Sequence, residues 1–583
     1  MWPFSRKYPL KSAEQIAANE YDYIIVGGGT AGCAVASRLS EDSTVSVLLI
    51  EKGDLHDRWL SRIPLASVVN GSYVVRQSVK PEAATDYRQS HITAAEALGG
   101  NSRINGMIYT RSVPAYYHQW AQLGHPTWDW DAVQPYFSKV EHRRGCGASS
   151  GAVHVRSHVP TTKVYDYLKT SAEALGLCVN AELDGPASPS MGYFNLRLTI
   201  DENGYRHSAE RAYLPYDLAF QRRDSLHICA STVVERLDFS QGNSIVTGVI
   251  VQPVHSKSKR DVHIRARREV ILCAGAIYTP QILQLSGIGP ESLLMKHSIA
   301  VRHNLPGVGG SLVDHALVPL FIDVDPHDTL HEMARSPFQA LREFFSFVVC
   351  GNGWLKSSVD RAIFINTAHL NRDTMTILDG NWGLDGSRQE DIPNIEIMIV
   401  PVNTKLETYP DNTSITFQIV INQPFSTGLV RIESTDPTAC PAISLGILSD
   451  HRDIEAARDG LRFSLHLTEH FTECSGYPYP SQVTNGPGVQ GGAKGWRDIS
   501  DADLDEYIKQ NIEPAWHLTS SCRMGRQDEG GVVDDELRVH GVKNLRISDA
   551  SVLPIITSAH PMATVYMVAE RCADFVKGTW NGK

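Results

Sequence analysis

The stretch from Tyr21 to Gly53 constrains this chain more tightly than any other. Tyr23–Val26 is an apolar, β-branched run of the kind that forms a buried parallel strand. Gly27, Gly29 and Gly32 follow in the spacing G-x-G-x-x-G. The first glycine permits a tight turn, the second lets backbone approach a pyrophosphate, and the third lets helix and strand pack closely. Thr30–Leu39 then reads as a helix, so the N–H groups around Thr30 and Ala31 and the positive end of its dipole face the phosphates. A second apolar strand, Val45–Ile50, ends at Glu51, whose carboxylate is placed to bind a ribose hydroxyl pair. A glycine-rich turn in an ordinary α/β core would leave that acid unexplained. Strand, glycines, helix, strand and terminal acid in this order point to an ADP-containing dinucleotide.

At 583 residues the chain exceeds the about 250–300 at which one hydrophobic core stops growing, so two domains are expected. The net charge of −11 argues against nucleic-acid or anionic-membrane partners. The basic cluster Lys257–Arg260, interrupted by Ser258, reads as a solvated hairpin tip. No run approaches the roughly 20 apolar residues of a membrane span. Met1–Glu20 lacks the apolar core of a secretory signal, and Asn581-Gly582-Lys583 is not a peroxisomal address. The ten cysteines include no C-x-x-C pair, and Cys33 and Cys273 read as small core residues. The sequons at Asn70 and Asn412 are then chance occurrences. A reduced, cytoplasmic protein with no metal site is expected.

Further along, alternating runs at Thr232–Phe239, Ile245–Val251 and Asp261–Arg265 read as strands, and Val270–Ala274 as a buried one. From Leu317 to Glu390 the pattern is less regular, with Pro, Gly and aromatic residues. Ile395–Val400 and Thr413–Asn422 look like strands of a separate antiparallel sheet. Helical patterns follow at Asp450–Phe471 and Asp501–Gln510. Leu545–Ser548 and Val565–Val576 close the chain as a strand and a helix.

Four more segments resemble the glucose–methanol–choline (GMC) family of FAD-dependent oxidoreductases. Leu98-Gly99-Gly100-Asn101-Ser102-Arg103-Ile104-Asn105 is similar to the family's first signature, which runs along the flavin. Gly275 to Gly289 matches the second signature throughout. Gly307 to His315 resembles a third characteristic stretch, and Gln423–Gly428 with Ser434–Pro437 resembles the opening of the C-terminal region. The resemblance spans about Tyr21 to Lys577. It implies an α/β fold, α+β overall, in which a Rossmann-like FAD-binding domain carries an inserted substrate domain built on an antiparallel sheet. The implied division is 19–315 for the FAD domain with part of the substrate cap, 316–504 mainly for substrate, and 505–577 for a return to the FAD domain. The sequence departs from the family at Glu96, where Arg or Lys is usual, and at Asn101, which replaces a small hydroxyl residue. Ile104 stands where some members carry a histidine bonded covalently to the flavin, so noncovalent FAD is expected.

The resemblance also assigns a site. His517 lies in Ala515-Trp516-His517-Leu518-Thr519-Ser520-Ser521, with Ser520 in place of the usual Gly, and resembles the catalytic histidine. His560 lies where the family carries a second His or an Asn, followed here by the unusual Pro561. Oxidising an alcohol removes a hydride from carbon and a proton from oxygen, and an imidazole is suited to take the proton. Pro561 suits the first turn of a helix running to about Val576, whose positive end and Ala563 would face the flavin pyrimidine. By the same resemblance Gly100, Asn105 and Met107 lie along the flavin, Val234 contacts adenine, and Asp549 and Ala550 reach the pyrophosphate and ribityl region.

The implied function is oxidation of a CH–OH group, a primary and apolar or aromatic alcohol, with O2 or another acceptor taking the electrons. Trp516 and the aromatic residues of Leu317–Gly383 motivate the apolar substrate. A non-redox lyase or cyclase using the same fold and histidine pair is the alternative. A light-driven fatty-acid decarboxylase of this fold would carry a cysteine where Val359 precedes Asp360-Arg361. A flavin-carrying binding protein would need no histidine pair.

Overall fold

The computed structural model describes residues 7–580 except 57, 70, 144–150, 158–161, 180–182, 185–187, 241–243, 255–260, 351–352, 357–358, 379–385, 406–412 and 489–494. The basic cluster at 257–260, Asn70, Asn412, the first six residues and the last three therefore lie outside the described residues.

The chain builds two main sheets, each of seven strands. In the first, Glu20–Val26 lies between Val47–Ile50 and Val262–Leu272, all three parallel. Leu226–Cys229 extends the parallel part beyond Val47–Ile50. Val246–Pro253 and Thr232–Phe239 continue the other side as antiparallel strands. Leu545–Ile547 pairs in parallel with the end of Val262–Leu272, so the C-terminal part of the chain rejoins the sheet that the N-terminal part begins. Tyr21–Val26 is buried throughout, as befits a central strand covered on both faces. The helices Thr30–Leu39 and Met562–Trp580 pack on one another and share this core.

The second sheet is antiparallel and runs Gln482–Asn485, Ala316–Asp323, Ser414–Ile421, Ile395–Val400, Arg361–Ile365, Gly192–Asn195. Ile395, Ile397 and Ile399 pack with Leu461 and Phe463 of the helix His451–Cys474 that covers one face. Strand alternation puts Glu396, Met398 and Val400 on the other face. There Met398 and Val400 share a cluster with Met107, Ile108 and Leu198.

Two stretches differ from the sequence reading. The irregular stretch from Leu317 holds a full strand, Ala316–Asp323, as well as Arg361–Ile365 and the helix Pro337–Phe345. Pro319 disguises the first, because proline cannot donate to a ladder. It is tolerated because the outer neighbours pair only at 316–317 and 321–323, and its carbonyl accepts from Tyr507 (2.7 Å) in the gap between them. The separate strands read at Asp261–Arg265 and Val270–Ala274 are one, Val262–Leu272. Its charged centre masks the continuity: Arg267 pairs with Asp22 and Glu269 with Arg546. Cys33 and Cys273 are free and buried. Among the described residues no helix is long and apolar enough to cross a membrane, and no His/Cys/Asp/Glu group is arranged to hold a metal ion.

Arg546 is fully buried and bonds Glu269 (Nε–Oε2 2.7 Å) and Thr579 (2.7 Å), while Trp580 donates to the same carboxylate (2.7 Å). Removing one partner of such a pair costs about 3–5 kcal/mol, because the other charge stays buried. Arg546→Ala is expected to lower the thermal midpoint sharply, and Arg546→Met with Glu269→Leu to regain most of the loss. Equal stability of the single and double variants in a melting experiment would contradict this.

Candidate active site

The glycines differ in what they are needed for. Gly27 has φ +101°, and a Cβ there would sit 2.5 Å from the Cys273 carbonyl oxygen. At Gly32 a Cβ would lie 1.8 Å from the carbonyl oxygen of Gly27. Both are required by the chain's own packing. At Gly29 a Cβ would meet only the Cα of Gly100, at 3.9 Å, so this glycine borders open space. Gly29 also caps the helix Thr30–Leu39 without a side-chain bond, which leaves the N–H groups of Thr30 and Ala31 for a ligand. Glu51 is buried, and its two oxygens accept from the N–H of Gly28 (2.6 Å) and of Gly53 (2.8 Å). Burial pushes its carboxyl up to about 7. Each oxygen keeps a lone pair for a ribose hydroxyl. Thr232 N–H donates to the Glu51 carbonyl, which brings the strand of Val234 to the same edge. Open space at a helix N-terminus beside a buried acid fits the ADP half of FAD.

On the other side of this space, Gly100 (φ +52°) faces Gly29. Asn105 Oδ1 accepts from Met107 N–H (3.1 Å) and Arg206 Nη1 (2.9 Å), and its Nδ2 reaches Met562 Sδ (3.1 Å). Met107 is buried with φ +62°. Ala563 is buried in the first turn of the C-terminal helix, and the Pro561 carbonyl accepts that turn's Val565 N–H. Asp549 is engaged within the chain: Oδ2 accepts from Gly275 N–H (2.8 Å) and Thr279 Oγ1 (2.6 Å), and Oδ1 from Ser551 N–H (2.8 Å). It ties the helix Gly275–Leu285 to the C-terminal segment. The Ala550 carbonyl accepts from Ser520 N–H (3.1 Å). Glu96 pairs with Lys52 (2.5 Å), and Asn101 Oδ1 accepts from Ala95 N–H (2.9 Å).

The structure brings His517 and His560 together across 43 residues of sequence, Nε2 to Nδ1 at 3.1 Å. Two further residues complete the cluster. His315 Nδ1 lies 3.0 Å from His517 Nδ1, and Glu396 Oε1 lies 3.2 Å from His560 Nε2. His315 Nε2 donates to the Thr557 carbonyl (2.9 Å). That carbonyl can only accept, so it fixes the tautomers along the row. Burial pushes His315 down to about 3, so its Nδ1 is a bare lone pair and must accept from His517 Nδ1–H. His517 is held well below the ordinary imidazole value by burial and by its two histidine neighbours. It is therefore neutral, with the lone pair on Nε2.

Family models for GMC oxidoreductases match residues 21–317 and 424–569. The chain belongs to the GMC oxidoreductase family. It is 32% identical over 586 aligned residues to the oxygen-dependent choline dehydrogenase 1 of Chromohalobacter salexigens, covering 96% of this chain and 95% of that one. It is 30% identical to a glucose dehydrogenase [FAD, quinone] of Drosophila pseudoobscura pseudoobscura, with 97% and 88% covered. Among solved structures, an FAD-dependent oxidoreductase from Chaetomium thermophilum superposes with a TM-score of 0.82 at 25% identity, over 96% of this chain and all (100%) of the other. A formate oxidase from Aspergillus oryzae, in a structure concerned with FAD modification, gives 0.80 at 25% identity, with 97% and 99% covered. The chain is thus an FAD-dependent oxidoreductase acting on CH–OH.

For this GMC oxidoreductase, sequence reasoning had His517 and His560 but assigned no role to His315 and passed over Glu396. Asp314-His315 closes a quoted motif, yet nothing local says that it meets His517. Glu396 left one signal, a lone acid in the otherwise apolar strand Ile395–Val400.

The glycine geometry separates two variants. Gly29→Ala is expected to fold, as read by far-UV circular dichroism, but to retain at least about tenfold less FAD after gel filtration. Gly32→Ala is expected to compromise folding itself. Full FAD in Gly29→Ala would show that the open space is not the phosphate site.

Proposed function

We propose that the chain oxidises a primary alcohol with an apolar or aromatic body to the carbonyl, with noncovalent FAD as hydride acceptor and His517 as base. The carrying observation is the row Thr557–His315–His517–His560–Glu396, which leaves an unprotonated Nε2 on His517. Bound FAD supplies the acceptor for the hydride leaving the alcohol carbon. His517 Nε2 takes the hydroxyl proton, and His517 Nδ1–H stays bonded to His315, so the ring cannot turn its lone pair away. His560 Nδ1–H, which lies 3.1 Å from His517 Nε2, is free to donate to the substrate oxygen once His517 takes that oxygen's proton. Glu396 holds His560 from behind through Nε2, which keeps Nδ1–H aimed at the oxygen on which negative charge builds. Met398 and Val400 on the sheet face of Glu396, and the half-exposed ring of Trp516 next to His517, support an apolar substrate body. Ile104 supports dissociable FAD, since it cannot form the covalent link that a histidine there would.

His517→Ala is expected to slow anaerobic, alcohol-driven flavin reduction by about 10²-fold or more with FAD still bound. Near-normal bleaching in stopped flow would remove His517 from the base role. His560→Asn keeps a hydrogen-bonding side chain and is expected to fall much less than His560→Ala; equal and small effects would exclude contact with substrate.

The pH profile follows from the same tautomers. A base whose pKa is depressed stays unprotonated until the pH falls below the ordinary imidazole value of about 6.5. Flavin reduction is therefore expected to show its acid limb below that pH, and a limb centred above it would contradict the neutral His517. Acid precipitation of the holoenzyme is expected to leave yellow FAD in the supernatant; flavin retained in the pellet with peptide would disprove noncovalent binding.

A further inference from the structure

Two guanidinium groups lie side by side beneath the first signature, and they are treated differently. Arg103 is fully buried and paired with Glu210 (Nη1–Oε1 2.9 Å). Arg206 is equally buried, yet every hydrogen-bond partner it has among the described residues is uncharged. Its Nε donates to Ser67 Oγ (2.9 Å) and Nη2 to the Pro64 carbonyl (3.2 Å). Its Nη1 donates to the Ser102 carbonyl (3.2 Å) and to Asn105 Oδ1 (2.9 Å). Among the described residues no carboxylate forms an ion pair with it. The acid that acts on it electrostatically, Glu210, is already held by Arg103 and by Ser208. Burial accordingly pushes the Arg206 guanidinium down to about 9. A charge in that position is unfavourable unless an anion arrives beside it.

The direction from which the anion comes is set by Asn105. Its oxygen is occupied by Arg206 and by the Met107 N–H, so its amide N–H2 is turned outward, toward Met562 at the start of the C-terminal helix. Arg206 therefore fixes the amide flip of Asn105 and polarises it, so that donor hydrogens backed by a full positive charge face the flavin side. The phosphates of FAD have their own place at Gly29 and Thr30. What gains negative charge at the flavin side is the isoalloxazine ring on reduction.

We propose that Arg206 is a positioning residue for the reaction: through Asn105 it supplies the buried positive charge that favours the reduced, anionic flavin over the oxidised one. This rests on FAD lying against Asn105 and goes beyond the assignment of His517 and His560, neither of which it touches.

The test uses purified holoenzyme and Arg206→Met, Arg206→Lys and Asn105→Ala, with flavin content, two-electron midpoint potential and the Kd for sulfite as readouts. Sulfite adds to flavin N5 and leaves negative charge on the ring, so it reports the same stabilisation without substrate. Arg206→Met is expected to weaken sulfite binding about tenfold or more and to lower the potential by the matching amount, about 30 mV per tenfold for a two-electron couple. Arg206→Lys, which keeps the charge but not the fork, is expected to recover most of the potential, and Asn105→Ala to lose it in the same direction as Arg206→Met. Arg206→Met with bound FAD of wild-type potential and sulfite affinity would overturn the proposal. If Arg206→Met does not retain FAD, Asn105→Ala decides, since it leaves the charge and removes the link: an unchanged potential overturns the proposal, and a lowered one supports it. Wild-type protein that holds no flavin would instead sink the cofactor assignment beneath it.

Discussion

The site hangs on one buried carboxylate. Asp314 Oδ1 accepts from the backbone N–H of His517 (2.6 Å) and Oδ2 from that of Trp516 (3.2 Å). Val313 and Thr519 exchange bonds of 3.1 and 2.9 Å on one side, and Ala515 N–H donates to the His315 carbonyl (2.9 Å) on the other. These bonds fasten the strand entering the second sheet to the segment returning toward the first. They also hold His517 between two residues in the left-handed region, Trp516 at φ +63° and Ser520 at φ +69°. Such a conformation costs roughly 1–2 kcal/mol for a residue with a side chain. The clasp keeps it, and so keeps the imidazole aimed at His560. Ser520 occupies a position where glycine would adopt the same backbone without that strain.

From that fixed point the hydrogen-bonded row acquires a direction. A backbone carbonyl at one end accepts only, and the Glu396 carboxyl group closes the other end. Burial and mutual repulsion hold His315 and His517 neutral, and the orientation of each ring follows from its neighbour's. The fold thus decides which nitrogen of His517 keeps its lone pair. Both halves of the molecule contribute to this row, since Glu396 comes from the second sheet and His560 just precedes the helix Met562–Trp580, which shares the core of the first.

The cofactor side was legible in the sequence because its determinants are consecutive. Gly27, Gly29, Gly32 and Glu51 act through one strand–turn–helix–strand unit, where spacing along the chain is spacing in space. The second sheet was harder. Pro319 disguised its strand Ala316–Asp323, and only the gap between the short outer partners explains why proline is allowed there. Val262–Leu272 was broken in two because Arg265, Arg267, Arg268 and Glu269 look like a turn until Asp22 and Arg546 are seen beside them.

By itself, then, the sequence determined the strand–glycine–helix–strand unit, the family and the candidate histidine pair, since each is written in a short run of residues. Tertiary structure alone decided the partners of those histidines. His315 and Glu396 lie 202 and 164 residues from the histidines they contact, and no periodicity or spacing connects them. It also decided that, among the described residues, Arg103 has a counter-charge and Arg206 has none. Both are single arginines in the sequence, and charge compensation depends on which side chains share a desolvated volume, which chain order does not specify.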